Sequence, residues 1–423
     1  MKPSRRPPAG SRARRAGVLA AVLAGALTLP ACGSDAGAQV GADEEQTLTV
    51  WAMGEEGQRL TEFTDAYAAE RDHLSIEVTP VSWENAHQKL VSAAAAGELP
   101  DVMQMGTSYM GEFVELGVLE PVDTSVFAED DFFPAAWDTG VVDEQAYGVP
   151  WYVDTRVLYY RTDLAEQAGV DEPPATWQDM RELATALQDN GSRWGVSLQP
   201  GGTGAWQTLA PFVFSAGGQF TDAEGNPTMD TPEMVRALTE YQAYFEEGLA
   251  SDRSQIGYDV IPDFGEGVAP MFVSGPWMVA NIRDQLPDLG ADAWDVALLP
   301  ADESSISFIG GSNLVISADS EHKAAAQELI AHFAEPEQQR AWYEAVGGLP
   351  AVEAAWEGGE LADSPELQVM EEQLATAAAV PVIPEWEELA DAISTAMEGV
   401  TTGNTSPEEA AESLQSEAEG IVR

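Results

Sequence analysis

Two adjacent carboxylates, Glu55 and Glu56, stand between glycines in the segment TVWAMGEEGQ. Paired carboxylates serve as the acid and base of glycosidases, as ligands of hard cations, or as hydrogen-bond acceptors for polar ligands. Because these two are neighbours in the chain, their side chains diverge and cannot flank one glycosidic bond from opposite sides. They would also repel a phosphate group, and no Lys-Ser/Thr pair follows them. The pair favours the lip of a binding cleft, and a glycosidase that uses a distant partner carboxylate stays an alternative.

The sequence shows no pattern typical of a metal-binding site or of a catalytic serine nucleophile. The four histidines, His73, His87, His322 and His332, lack the close pairing of zinc ligands. The segment DAEGNPTMD, at 222–230, departs from the ligand spacing of a calcium-binding EF-hand loop and lacks its closing Glu, so we interpret it as a turn. The sequence also contains no Gly-x-Ser-x-Gly elbow. We therefore expect neither a metal nor a cofactor.

The twelve tryptophans are the stronger chemical signal. An indole face packs against the C–H face of a pyranose ring, while carboxylates and amides bond to its hydroxyl groups. Core packing is the alternative for any single Trp, and it is our expectation for Trp51. Four others stand beside turn residues, where a side chain can face a cleft: Trp151, Trp206, Trp277 and Trp386.

The elements that must position these residues begin as alternating strands and helices. The segment TLTVWAM predicts a buried strand, the spacing of Leu60, Phe63 and Tyr67 predicts a helix, and HLSIEVTPVSW alternates as a strand. An alanine-rich helix that stops at Gly97 and the short strand PDVMQM follow. This β-α-β order predicts a parallel sheet flanked by helices.

A long extended segment, YGVPWYVDTRVLYYRTDL, leads into a second α/β region. Its predicted helices include TPEMVRALTEYQAYFEEG, with Thr231 as N-cap and Pro232 at the first helical position. A strand, turn and helix follow in GVAPMFVSGPWMVANIRDQL, a return strand in SISFIGGSNLVISADS, and a helical C-terminal region from Glu385. A chain of this length is expected to form two lobes.

The charge of the chain excludes several classes of partner. The net charge is −53, and because residues 1–31 carry six basic side chains and no acidic one, the remaining 392 residues carry −59. After Arg161 the basic residues are scattered. Such a surface repels nucleic acid and anionic lipid, so we expect no nucleic-acid partner.

The N-terminal residues 1–31 have the basic start and apolar run of an export signal peptide. The run is about 15 residues, whereas a membrane-spanning helix needs roughly 20. The only cysteine, Cys32, follows in LPAC, which resembles the bacterial lipobox whose cysteine is acylated, although Pro30 departs from the usual residue. An ordinary secreted protein with a free thiol is the alternative. We expect residues 32–46 to be a flexible tether after a lipidated Cys32.

Several motifs, in order, resemble the extracellular solute-binding proteins of carbohydrate ABC transporters, the family of maltose-binding protein. LTVWAMGEEG resembles the first strand and ligand turn, and LPDVMQMGTSYMGEFVELGVLEPVD the following strand, loop and helix. YGVPWYVDTRVLYYRTDL resembles the segment that crosses between lobes, APMFVSGPWMVANI the GPW turn, and SFIGGSNLVIS the return strand. EAVGGLPA and VPVIPEWEEL resemble later landmarks. The resemblance covers nearly all of the chain after the leader.

The resemblance implies a two-lobed, periplasmic-binding-protein-like α/β fold, in which hinge strands join the lobes and ligand binds between them. Ligand contacts from both lobes favour the closed state, which the permease recognises. We expect the N-lobe to comprise residues 47–155 and 306–346, and the C-lobe residues 156–305 and 347–423.

The resemblance also implies roles for individual residues. Glu55 matches an acidic residue that bonds sugar hydroxyls, Asp154 a carboxylate on the crossing segment, and Trp277 a ring-stacking indole. Glu56 replaces a lysine of the maltose protein and is either a ligand contact or a solvated side chain. Arg156 either bonds the ligand or pairs with Asp154. The expected ligand-binding set is Glu55, Glu56, Met105, Thr107, Ser108, Tyr109, Trp151, Asp154, Arg156, Trp206, Trp277, Gly311, Ser312, Asn313 and Trp386.

The sequence thus predicts an exported, monomeric receptor, anchored on the outer face of the cell membrane through Cys32 alone. It is expected to capture a neutral mono- or oligosaccharide and to deliver it to an ABC permease without catalysis. A secreted glycoside hydrolase and a binder of a polyol or another small polar solute are the alternatives.

Overall fold

The computed structural model of the protein describes residues 44–251 and 260–422. The predicted leader and Cys32 lie outside these described residues. Within the described ranges, every helix is too short or too polar to span a membrane.

Strands and helices alternate over residues 46–106, and beyond them several strands or several helices follow one another. The strands are β1 Gln46–Met53, β2 Leu74–Val81, β3 Val102–Gly106, β4 Val141–Val142, β5 Gln145–Ala146, β6 Gly148–Thr155, β7 Val157–Tyr160, β8 Met271–Ser274, β9 Asp295–Ala297, β10 Phe308–Ile316, β11 Leu349–Pro350 and β12 Ala378–Ala379. The α-helices are α1 Gly54–Ala68, α2 Trp83–Ala96, α3 Met110–Glu115, α4 Pro134–Asp138, α5 Thr162–Gln167, α6 Trp177–Asp189, α7 Trp206–Ser215, α8 Pro232–Glu246, α9 Val260–Gly265, α10 Trp277–Gln285, α11 Lys323–Phe333, α12 Pro336–Val346, α13 Glu360–Asp363, α14 Pro365–Ala375, α15 Trp386–Thr401 and α16 Pro407–Ile421. Short 3₁₀ helices are Thr107–Tyr109, Glu129–Asp131, Ala291–Ala293 and Glu353–Glu357.

Local sequence signals explain several helix starts. Thr176 and Asp179 form a capping box at the start of α6, and Ser406 and Glu409 form another at α16. The Thr231 side chain caps α8 as predicted, accepting a hydrogen bond from a backbone N–H of the first turn.

The larger sheet has seven strands, in the order β11-β6-β10-β3-β1-β2, with β12 paired to β10. β1 pairs in parallel with β2 and β3, which confirms the arrangement predicted from the β-α-β order. β10 runs antiparallel to β3 and β6, so the sheet is mixed. The parallel strands β1 and β3 end at Met53 and Gly106, and their carboxyl ends therefore lie at one edge of the sheet.

The smaller sheet, in the order β8-β7-β9, is antiparallel throughout. The chain passes from the larger to the smaller sheet at Arg156, which interrupts the segment predicted to be continuously extended. It returns to the larger sheet through β10. These two sheets with their flanking helices form the two-lobed α/β fold. Leu349–Pro350 pairs with β6 in the larger sheet, whereas the sequence predicts the C-lobe from residue 347 onward.

Buried apolar side chains hold each region together. One cluster packs α6, α7, α8, α15 and α16 against the smaller sheet through residues such as Leu158 and Met271. A methionine-rich cluster lies beneath the ends of β1 and β3, where Met53, Met103 and Met105 are fully buried. This second cluster packs α2 and α3 against the sheet at the same end.

Candidate functional site

A cavity of about 370 Å³ lies between side chains from the larger-sheet region and the start of α10. This volume falls in the range typical of small-molecule sites. It is referred to below as the carboxylate cavity, and its lining residues are Glu56, Trp83, Tyr152, Val153, Asp154, Pro276, Trp277, Val346, Gly347 and Gly348.

The first turn of α1 places Glu56 in the carboxylate cavity. The segment Gly54–Gly57 is helical rather than the turn that its glycines suggest. A Cβ at Gly57 would lie 2.4 Å from the carbonyl oxygen of Ala52, so only glycine lets the helix start this close to β1. The backbone of Glu55 belongs to the same turn, but its side chain lies outside the described part of the chain, and its role stays a prediction.

A chain of buried hydrogen bonds fixes the Glu56 carboxylate. The Tyr152 hydroxyl donates to Glu56 Oε1 at 2.9 Å and accepts from Gln104 Nε2 at 3.1 Å and from Ser312 Oγ at 3.2 Å. Gln104 in turn accepts the Met53 backbone N–H at 2.6 Å. Burial, reinforced by the Glu56 charge, raises the pKa of Tyr152 well above its ordinary value, so the phenol remains a donor.

Arg156 ties the crossing segment to both cavity walls. Its guanidinium donates to Asp154 Oδ1 at 2.8 Å and to the Gln207 side-chain oxygen, and its backbone N–H donates to Ser307 Oγ at 3.0 Å. The residue is only 6% exposed. The ion pair with Asp154, one of the two alternatives for Arg156, is confirmed.

Trp277 borders a second cavity, of about 270 Å³, as well as the carboxylate cavity. This second cavity, the amide cavity, presents the side chains of Gln199, Gln207, Thr203 and Thr208. The Arg156 guanidinium carbon lies 5.0 Å from the centroid of the Trp277 ring. The arrangement offers one indole flanked by amide, hydroxyl and carboxylate groups, which suits a polyhydroxylated solute.

Three of the four tryptophans expected to face a cleft are core residues, so that expectation is wrong for them. Trp151 is 2% exposed and stacks on Trp342 with ring centroids 4.4 Å apart. Trp386 is 0% exposed and meets Trp206 edge-on at 5.2 Å. The three indoles pack in the apolar core, and none of them lines either of the two cavities described above.

The expected residues on β3 and β10 line neither of the two cavities. Met105 and Asn313 are fully buried, and Asn313 exchanges its hydrogen bonds with Thr139, so neither reaches a cavity. Ser312 contacts the site indirectly, because its hydroxyl donates a hydrogen bond to the Tyr152 hydroxyl. Gly311, at φ +117, leaves room for the Tyr152 carbonyl oxygen, which a Cβ would approach to 2.2 Å.

The loop Thr107–Tyr109 contacts α15 and lines neither of the two cavities described above. The Ser108 side chain hydrogen-bonds Glu387, whose pKa is raised by burial. Burial, with the nearby Glu387 charge, raises the pKa of Tyr109 to about 12. The loop therefore joins the larger-sheet region to the helices of the second region.

Tyr152 and Trp83 are site residues that sequence reasoning missed. Trp83 stands two residues after the last residue of β2, at the same edge where β1 and β3 end. That position at the carboxyl end of a parallel strand is a signal that could have found it. Tyr152 lies two residues before Asp154 on β6, so the strand period places both on one face.

The described residues contain no group of three or more His, Cys, Asp or Glu side chains arranged to hold a metal ion.

Residues 52–340 match the family of bacterial extracellular solute-binding proteins, and the chain belongs to this family. Its structure is similar to that of the sugar-binding protein MalE from Xanthomonas citri, with a TM-score of 0.84, 29% identity, and coverage of 89% of this chain and 97% of that one. Among relatives, a putative binding protein of Brucella abortus is 25% identical over 87% of this chain and 90% of its own length. The galactooligosaccharide-binding protein of Bacillus subtilis is 25% identical over 97% of this chain and 98% of its own.

Proposed function

We propose that the protein captures a neutral saccharide between its two lobes and delivers it, chemically unchanged, to an ABC permease. The observation that carries the proposal is the carboxylate cavity, where Glu56, Asp154 and Trp277 converge with a fixed phenol donor. The printed names of relatives, a sugar-binding MalE and a galactooligosaccharide-binding protein, support the same ligand class.

Charge supports a neutral rather than an anionic ligand. The described residues that line the carboxylate cavity include two carboxylates and no basic side chain. The single guanidinium of the amide cavity, Arg156, is already paired with Asp154. An anionic solute would therefore meet like charges without compensation. One relative, from Pectobacterium atrosepticum, is named for binding sn-glycerol-3-phosphate, and the charge pattern here disfavours such a ligand.

We infer binding without turnover from the engagement of both carboxylates. Glu56 accepts the Tyr152 hydroxyl, and Asp154 holds Arg156 at the hinge, so each side chain has a structural partner. A glycosidase needs one carboxyl group free to protonate the leaving oxygen. These contacts favour hydrogen bonding to ligand hydroxyls over acid catalysis.

Isothermal titration calorimetry against neutral mono- and oligosaccharides, polyols and glycerol phosphate tests the proposal. We expect a neutral saccharide to bind, and chromatography to recover it unchanged from the complex. A polyol as the only binder would identify the alternative ligand class. Hydrolysis of a glycoside, or the absence of any saccharide binder, would overturn the proposal.

We further propose export with acylation at Cys32, the lobe boundaries given above except that Leu349–Pro350 joins the N-lobe, and a monomer bound to the outer face of the membrane. The LPAC motif after the apolar leader supports the anchor. Expression in a bacterial host should place the protein in the membrane fraction, and Cys32→Ser should release it into the soluble exported fraction. Equal distribution of both forms would contradict acylation.

A further inference from the structure

Two glutamine side chains that line the amide cavity are each held in one orientation by their partners. The Arg156 guanidinium, which has only donors, bonds to the side-chain oxygen of Gln207. The Gln207 Nε2 group is therefore left as a donor, and no residue of the described ranges accepts a hydrogen bond from it. Gln199 has the reverse arrangement, because its Nε2 donates to the carbonyl oxygens of Gly201 at 3.2 Å and Thr203 at 3.1 Å. Its Oε1 is therefore left as an acceptor.

The two amide groups lie against the same short piece of backbone. Gln199 Nε2 contacts the Thr203 carbonyl oxygen, and Gln207 Nε2 lies 4.0 Å from the point where Gly204 would carry a Cβ. Gly204, at φ +77, has a left-handed backbone conformation that favours glycine. Because Thr203 and Gly204 are consecutive, one fixed donor and one fixed acceptor stand beside a single peptide bond.

Apolar side chains form another part of the cavity wall. Leu198, Val260 and Phe272 are each at most 7% exposed, and the Trp277 indole borders the same space. A hydroxyl group is too small to cover these side chains in a cavity of about 270 Å³, whereas a methyl group placed against them is removed from water. The cavity thus suits a ligand group that combines a carbonyl oxygen, an N–H and a methyl group.

We propose that the amide cavity holds the acetamido group of an N-acetylated amino sugar. Gln207 Nε2 donates to the acetamido oxygen, Gln199 Oε1 accepts from the acetamido N–H, and the methyl group packs on the apolar wall. The inference rests on the proposed function, because it specifies the class of neutral sugar for the same site. Trp277 borders both cavities, so the sugar hydroxyls extend toward Glu56 and Asp154 in the carboxylate cavity.

Sugars that lack the acetamido group leave part of this cavity unsatisfied. The parent sugar, with a hydroxyl at the same carbon, leaves the apolar wall uncovered. A free amino sugar puts an ammonium group beside the Arg156 guanidinium and brings no carbonyl oxygen for Gln207. A cavity built to bond both ends of an amide discriminates against ligands without one, because its own polar groups then lose their partners.

Calorimetry of the mature chain with matched pairs of sugars tests the inference. The pairs are glucose with N-acetylglucosamine, galactose with N-acetylgalactosamine, and cellobiose with N,N′-diacetylchitobiose, and glucosamine is a further ligand. We expect the tightest ligand to be N-acetylated and to bind at least about tenfold more tightly than its parent sugar and than glucosamine. A parent sugar that binds as tightly as its N-acetylated partner would overturn this inference alone, whereas the absence of any saccharide binder would overturn the proposed function.

A variant of Gln207 tests the amide donor separately. Gln207→Glu keeps an oxygen for Arg156 but removes the Nε2 donor, so the preference for the N-acetylated sugar over its parent should fall by at least about tenfold. Gln285→Glu makes the same charge change at an exposed position on α10 that lines neither cavity, and should keep the wild-type preference. A general loss of stability lowers both affinities together, whereas the preference is their ratio. An unchanged ratio in Gln207→Glu would remove Gln207 from the acetamido site, and the wild-type sugar pairs decide the inference whether or not this variant folds.

Discussion

At the scale of single residues, two buried arginines have similar surroundings but different positions relative to the site. Arg156 pairs with Asp154 beside the cavities, and Arg161 forms a bidentate pair with Asp163 while donating to two backbone carbonyls. Both guanidinium groups are almost fully buried. Arg161 does not line either cavity, so the two residues form a matched pair for mutation.

We expect Arg156→Met and Arg161→Met each to lower the free energy of unfolding by about 3 kcal/mol, because each leaves a partly buried carboxylate without its partner. Only Arg156→Met should also weaken saccharide binding, by about tenfold or more, because it frees Asp154, Gln207 and the Trp277 ring from their shared contact. Denaturant unfolding and calorimetry measure the two effects. Equal affinities of the two variants for the ligand would remove Arg156 from the site.

At the scale of elements, the sequence predicted what depends on local signals. The apolar run of TLTVWAM predicts β1, the alternation of HLSIEVTPVSW predicts β2, and Thr231 with Pro232 predicts the start of α8, because these patterns act within one turn or strand. The glycines of LTVWAMGEEG suggest a turn after β1, whereas α1 begins at Gly54 and Gly57 permits its close contact with β1.

The sequence could not predict which of the tryptophans beside turn residues face a cavity. Trp151 and Trp277 both follow a proline, yet Trp151 stacks on Trp342 from a distant helix and Trp277 does not. That difference depends on tertiary packing, which no local pattern encodes. The role of Tyr152 likewise depends on the pairing of β6 with β10, which brings Ser312 to its hydroxyl.

At the scale of the whole molecule, the net charge of −53 makes stability depend on pH. Burial raises the pKa of Glu240 and of Glu387 above their ordinary values. A carboxyl group whose folded pKa is raised takes up a proton more readily when folded, so the folded state gains stability as pH falls toward that pKa. Hydrogen bonds from Ser125 lower the pKa of Asp123, and hydrogen bonds from Ser364 and Arg283 outweigh burial and lower the pKa of Glu366. These two groups act in the opposite sense, and their contribution is lost only at still lower pH.

We therefore expect the midpoint of urea unfolding to rise as pH is lowered from about 8 to about 5, and to fall again below about pH 4. Concentrated salt should reduce the part of this rise that comes from surface repulsion, since buried groups are screened less. A Glu240→Gln, Glu387→Gln double variant at high salt should show a flatter profile than the wild type. A wild-type midpoint that falls steadily from pH 8 to 5 would contradict this account.

The position of β10 has a consequence for the order in which the chain can fold as it is made. β10 lies between β3 and β6 in the larger sheet, although the chain of the smaller sheet separates it from both in sequence. The strands that are synthesised first therefore cannot complete their sheet until the chain beyond residue 308 has emerged. Such distant pairing slows folding, because a long loop must close before the contacts form. A nascent chain with this strand order stays incompletely folded until synthesis is nearly finished, the condition that transport across a membrane after synthesis requires.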